Sequence, residues 1–113
     1  MSTGKLCLEH IRPVIDAVDV LNGKWRIPVV VALCESPRRF NELLRDIKNI
    51  TPRMLAKTLQ ELEQHELLER VPDTDNPATT IYQISEYGHS IEPLILALTE
   101  WGTAHRKRLI GKS

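Results

Sequence analysis

Residues 38–70 read RRFNELLRDIKNITPRMLAKTLQELEQHELLER, and this stretch decides the fold. Phe40, Leu43, Leu44 and Ile47 recur at the spacing that lines four apolar side chains along one stripe of a helix. Lys48-Asn49 break that pattern, and Ile50 is placed to plug the turn. Thr51-Pro52 then starts a second helix: the threonine hydroxyl can accept a first-turn N–H, and the proline ring needs no donor there. Leu55, Leu59 and Leu62 form the buried seam of this helix, while Thr51, Arg53, Ala56, Lys57 and Gln60 lie off it. Two helices joined this tightly, the second polar and basic at its N-terminal end, match a helix-turn-helix whose second member enters the major groove of double-stranded DNA.

Upstream, Ile11, Val14, Ile15, Val18 and Leu21 repeat at helical spacing and stop at Asn22-Gly23, a C-terminal cap pair, so a helix is expected over about 10–22. A second runs from about Lys24 to Glu35, with Pro28 tolerated because the first turn has unpaired N–H groups anyway. Downstream, Leu67–Val71 and Thr79–Ile84 are apolar and β-branched enough for strands and flank the turn-forming PDTDNPA, giving a hairpin or wing over about 67–85. The last segment, about 86–108, places Ile91, Leu94, Ile95, Leu98 and Trp101 on a helical stripe, with Arg106-Lys107-Arg108 where cations suit the helix dipole. Pro93 should kink or divide it.

The expected architecture is mainly α with a small β-hairpin: one domain over 1–113, a winged helix-turn-helix (helix-turn-helix about 39–65) with extra N- and C-terminal helices. Those outer helices carry more apolar surface than a monomer of this size covers easily. Ile11, Val14, Ile15, Leu94, Leu98 and Trp101 are therefore expected to build a two-fold homodimer interface, setting two recognition helices about one turn of DNA apart.

A hydrophobic content of 42% and a charged content of 27% fit one ordinary globular domain. Net charge is zero, which argues against nonspecific coating of nucleic acid, but the charges are segregated. Lys24 to Lys57 holds eight cations (Lys24, Arg26, Arg38, Arg39, Arg45, Lys48, Arg53, Lys57) against three anions (Glu35, Glu42, Asp46), whereas Val71 to Glu100 holds five anions and no Lys or Arg. One basic face is the expected result. MSTGKLCLEH lacks the apolar core of a secretory segment and the longest apolar run, Val29 to Cys34, is too short to span a membrane, so a cytoplasmic protein is expected. His10, His65, His89 and His105 show no metal-ligand spacing, Gly23-Lys24 lacks the rest of a phosphate loop, and no nucleophile can be set beside a base. Neither a metal, a cofactor nor enzymatic activity is expected.

The chain resembles the HxlR-type branch of the MarR-like winged-helix regulators. The resemblance rests on Cys7, Gly23-Lys24-Trp25, Arg39-Phe40-Asn41-Glu42-Leu43, Met54-Leu55, Leu59, Glu61-Leu62-Glu63, Leu67, Arg70, Tyr82, Gly88 and Trp101-Gly102, which span nearly the whole sequence. It implies a dimeric bacterial transcription regulator that binds an inverted-repeat operator, with the last helix in the dimer interface, and an early cysteine able to sense electrophiles or oxidants. Two departures stand out. Thr80-Ile81-Tyr82 replaces a common Val-Glu-Tyr, and the wing tip Asp73-Thr74-Asp75-Asn76 is acidic where a phosphate contact favours a cation.

Exposed helix cations are ordinarily just solvated; here the cap, the turn and the neighbouring Arg38 and Arg39 favour DNA contact. Arg53, Lys57 and Gln60 are long enough to reach base edges. Thr51, Arg39 and Lys24 are candidates for phosphate. Cys7 has Lys5 nearby, and an adjacent cation favours thiolate, whereas Cys34 ends an apolar run and reads as a core thiol that could also resolve Cys7 across a dimer. The competing reading is a winged helix whose basic face docks an acidic protein without sequence-specific DNA binding.

Overall fold

The computed structural model describes residues 6–111, and α4 (Pro52–Gln64) lies at the centre of its packing. Leu55, Leu59 and Leu62 are at most 2% exposed and meet Val29, Val30 and Leu33 of α2 (Arg26–Glu35) and Leu43 of α3 (Phe40–Asp46) in one apolar core. Thr58 joins that seam, an addition the leucine spacing alone did not name. Each buried leucine contributes roughly 2 kcal/mol by removal from water. The α3–α4 turn is tight because Asn49 adopts a left-handed conformation (φ 73°) and Ile50 is buried beneath it. Ile47 stays buried although α3 stops one residue before it.

Strands β1 (Leu68–Pro72) and β2 (Thr80–Ile84) pair antiparallel from Leu68 opposite Ile84 to Pro72 opposite Thr80, and Leu68 and Ile84 close the core from the wing side. A third short element joins them: the Arg38 N–H donates to the Tyr82 carbonyl (3.0 Å) and the Tyr82 N–H to the Arg38 carbonyl (2.8 Å). The winged, mainly helical architecture is thus the one expected. Asp73 differs from the reading of it as part of an acidic tip. It is buried at the base of the wing loop, where its N–H donates to the Thr79 carbonyl (2.9 Å) and its carboxylate takes Nε of Arg39 (3.0 Å), a second guanidinium N–H and the Asp75 N–H (3.0 Å).

Outside this body the helices protrude. A three-residue 3₁₀ turn, Leu8–His10, leads into α1 (Ile11–Leu21), which is exposed along its length until Val20 and Leu21 turn into the core. The final segment is not one helix from residue 86. Tyr87–Ile91 forms a 3₁₀ turn, and α5 (Glu92–Gly111) begins after it with Pro93 in its first turn, where no backbone donor is lost. Proline therefore divides the segment, and the 3₁₀ part belongs to the core: Ile91 is buried, and Gly88 packs on the Leu67 carbonyl. The Cα radius of gyration, 16.6 Å, exceeds the roughly 13 Å of a compact domain this long.

Two consequences follow for stability. A Cβ at Gly88 would sit 2.0 Å from the Leu67 carbonyl oxygen and 2.9 Å from Ile84 Cγ2, so Gly88→Ala should cost about 3 kcal/mol or more in urea unfolding, since the obstacle is backbone. The Arg39 hydrogen bonds, and then the Asp75 N–H, hold the Asp73 carboxyl below its ordinary value of 3.8. Its ionised form therefore adds stability that is fully present above that value and is lost as pH falls through the lowered one. Thermal melts should show Asp73→Asn weaker than wild type at neutral pH, with the difference closing in strong acid; a constant difference across the range would refute the assignment.

Candidate nucleic-acid interface

The N-terminal end of α4 is fixed by chemistry local to it. Thr51 is extended and its Oγ1 accepts the Met54 N–H at 3.1 Å, while Pro52 occupies the first helical position. With the leucine seam inward, Arg53, Lys57 and Gln60 are turned to solvent on the opposite side, and Met54 stands 42% exposed beside them. Among the described residues neither Arg53 nor Lys57 makes an ion pair.

The other cations expected at the interface fall into two groups. Lys24 is exposed, its Nζ 5.0 Å above the Trp25 ring, and it lines a 290 Å³ depression with Met54 and Lys57, so the turn before α2 and the start of α4 share one surface. Arg38 is not available there. Its side chain is only 15% exposed; Nε donates to Asp46 (2.8 Å), one terminal nitrogen to Glu35, the other to the Ala32 and Ser36 carbonyls. The hydrogen bond to Glu35, then that to Asp46, holds the guanidinium charged against its burial. Arg38 thus fastens α2 to α3 and to β2, and the expectation that it faces DNA is corrected on that ground.

Arg39 is intermediate: 45% of its side chain is exposed although Asp73 neutralises it. The Arg39 N–H donates to Glu42 Oε1 (2.7 Å), closing the first turn of α3. Arg39 shares a polar 610 Å³ depression with Arg45, Thr79 and Thr80, between α3 and the wing. Arg45 is exposed and was counted in the basic stretch without being named as a site residue. Its spacing carries no signal, and only the approach of the wing to α3 reveals it.

Ile11, Val14, Ile15 and Val18 of α1 are each more than half exposed, and Leu98 and Trp101 of α5 are 46% and 68% exposed. Val14, Ala17, Val18, Ile27, Leu94 and Leu98 border an apolar groove of about 420 Å³. Trp101 stacks on His105 with ring centroids 4.8 Å apart. Cys7 is exposed, its Sγ 3.4 Å from His10 Nδ1 and 3.4 Å from Glu9 Oε1. Lys5, read as its activating neighbour, lies outside the described residues. Cys34 is half-buried in α2, and burial, with Glu92 adding, pushes its thiol up and away from reactivity.

The family model described as HxlR-like helix-turn-helix matches residues 20–109. The HTH-type transcriptional regulator YtcD of Bacillus subtilis is 35% identical over 94 residues, 83% of this chain and 75% of YtcD. A regulator of Methanothermobacter thermautotrophicus is 39% identical over 94 residues, 83% of this chain and 72% of the relative. Among solved structures, the redox regulator HypR in its reduced form superposes with a TM-score of 0.78 at 35% identity, covering 88% of this chain and 98% of HypR. Reduced YodB of B. subtilis gives 0.69 at 29%, covering 86% and 91%, and YodB is also known in a quinone-bound form. These relatives are regulators of transcription, not enzymes. With the tight turn, the capped α4 and the wing in place, the chain belongs to the HxlR-like helix-turn-helix family of transcriptional regulators.

Proposed function

We propose that the protein is a homodimer that binds an inverted-repeat operator through α4 and releases or remodels that contact when Cys7 reacts with an oxidant or electrophile. The observation that carries the DNA reading is the pairing of a fully buried leucine seam with two exposed cations, Arg53 and Lys57, on the reverse of the same helix. Arg53, Lys57 and Gln60 read base edges; Thr51, Lys24, Arg39 and Arg45 hold phosphates. The dimer is supported by surface area. A monomer of 12.9 kDa should expose about 6,300 Å². This chain exposes 8749 Å², and most of its exposed large apolar side chains lie on α1 and α5. An excess of that size fits an extensive interface. A cytoplasmic location, where DNA and reducing thiols coexist, belongs to the same reading.

For Cys7 the support is its exposure beside His10 and the likeness to HypR, a redox regulator, and to YodB, known with a quinone bound. With a peroxide the thiol takes one oxygen, becoming sulfenic acid while the peroxide leaves as alcohol or water. With a quinone the sulfur adds to a ring carbon and the proton ends on oxygen.

Duplexes enriched from random-sequence DNA by repeated binding provide the probe. Arg53→Ala/Lys57→Ala should fold normally yet bind the enriched duplex about a hundredfold more weakly, with a shallower fall of affinity against salt. Equal, weak binding of every duplex by the wild type would favour the acidic-protein partner instead. In the second test, peroxide or quinone should change the affinity of wild type for the enriched duplex and leave Cys7→Ser unaffected. A response retained in Cys7→Ser would remove Cys7 from the mechanism.

A further inference from the structure

The guanidinium of Arg26 ties together three helices that the functional reading treats separately. Arg26 is the first residue of α2, and its side chain is 17% exposed. Its Nη1 donates to the carbonyls of Asp19 (3.0 Å), which also accepts the Asn22 N–H at 3.4 Å, and Val20 (2.9 Å), in the last turn of α1, where a cation is favoured. Its Nη2 lies 3.3 Å from Glu61 Oε1, one turn beyond Lys57 on α4. Few other ties hold α1 to the body. Residues 11–19 are exposed, only Val20 and Leu21 reach the core, and the link to α2 passes through Gly23 at φ +102°, a conformation in which an L side chain would be strained.

From this geometry we infer that Arg26, with Glu61, is the positioning residue that fixes the angle of α1 against the recognition helix, and so the separation of half-sites the dimer accepts. The inference rests on the proposed dimer and its operator. If two copies join through α1 and α5, the two α4 helices are spaced by what holds each body to these helices: α5 follows directly on the buried Ile91, so the adjustable joint is the one to α1. The apolar part of that connection is two side chains, and a small apolar contact is non-directional. The guanidinium fork has fixed directions, so it sets an angle where packing sets only proximity. Arg26 itself touches no DNA in this scheme.

The experiment measures binding to enriched palindromic duplexes whose half-sites are moved apart or together one base pair at a time, alongside a duplex with one half-site. Wild type should show a sharp optimum. Arg26→Gln should reduce the preference for the best spacing over its neighbours by about tenfold, the scale of one partly buried charge-assisted contact, and leave single half-site affinity unchanged. Glu61→Gln should flatten the profile in the same sense, and Arg26→Gln should add little in the Glu61→Gln background. Arg26→Lys, which keeps the charge but not the fork, guards against a folding defect and should fall between wild type and Arg26→Gln. A loss of affinity for all duplexes in proportion to lost thermal stability would assign Arg26 a purely structural role and overturn the inference. So would an unchanged optimum in Arg26→Gln, with the DNA reading intact. Wild-type protein that binds no duplex specifically would overturn the DNA reading, and this inference with it.

Discussion

Leu55 and Leu62 have no exposed surface and Leu59 only 2%, and three side chains that deep on one helix leave α4 essentially one way to lie against α2 and α3. Rotating it to bring Arg53 or Lys57 inward would expose leucine at roughly 2 kcal/mol each and bury an unpaired cation at a cost of several more. The outward cations are thus a consequence of the core. The turn before α4 serves the same constraint: Asn49 reverses the chain, Ile50 seals it, and Thr51 caps the first turn, so the helix begins where its seam can engage.

Electrostatics inside the body sharpen what that core presents. Among the three anions between Lys24 and Lys57, Glu35 and Asp46 are both turned onto Arg38, and Glu42 bonds the Arg39 N–H at the start of α3. One inward arginine therefore neutralises two carboxylates that would otherwise dilute the basic face. Lys24, Arg45, Lys48, Arg53 and Lys57 stay exposed and outside any ion pair among the described residues. A zero net charge consequently says little about the field at α4. At 0.1 M salt the screening length is about 10 Å, so a duplex approaching α4 senses chiefly the cations near it, while Asp73 offsets Arg39 at the wing side.

What the sequence made legible was what short-range rules control. The α3 stripe, the Thr51-Pro52 start, the leucine seam and the hairpin all follow from neighbours within a few positions, and the strands shift by only one residue from their expected starts. Arg38 was misplaced because its surroundings come from Ala32, Glu35 and Asp46 on two different helices and from a backbone bridge to Tyr82 far along the chain. Asp73 reads in the sequence as part of the acidic wing tip because composition cannot tell where a hairpin loop closes; the bond from Asp73 to Thr79 closes it one step after the last strand pair. Pro93 left two outcomes open, and the choice was made at a distance. Gly88 must fit against the Leu67 carbonyl, which holds Gly88 and Ile91 in the core and lets α5 start afresh.

The same division between local and distant control explains why the dimer reading is strong in character but silent on geometry at the level of sequence. Apolar periodicity in α1 and α5 identifies faces that need covering, since periodicity is a property of one helix at a time. The angle between α1 and the body is a property of a junction: a left-handed Gly23, the buried Leu21, the half-buried Val20 and one guanidinium whose partners lie on α1 and α4. No pattern in residues 10–26 encodes the carboxylate of Glu61, which arrives from a different helix. In the proposed dimer the faces would bring two copies together, and the junction would set how far apart their recognition helices lie. On that proposal operator geometry rests on a few long-range contacts, whose substitution leaves the apolar pattern of the chain untouched.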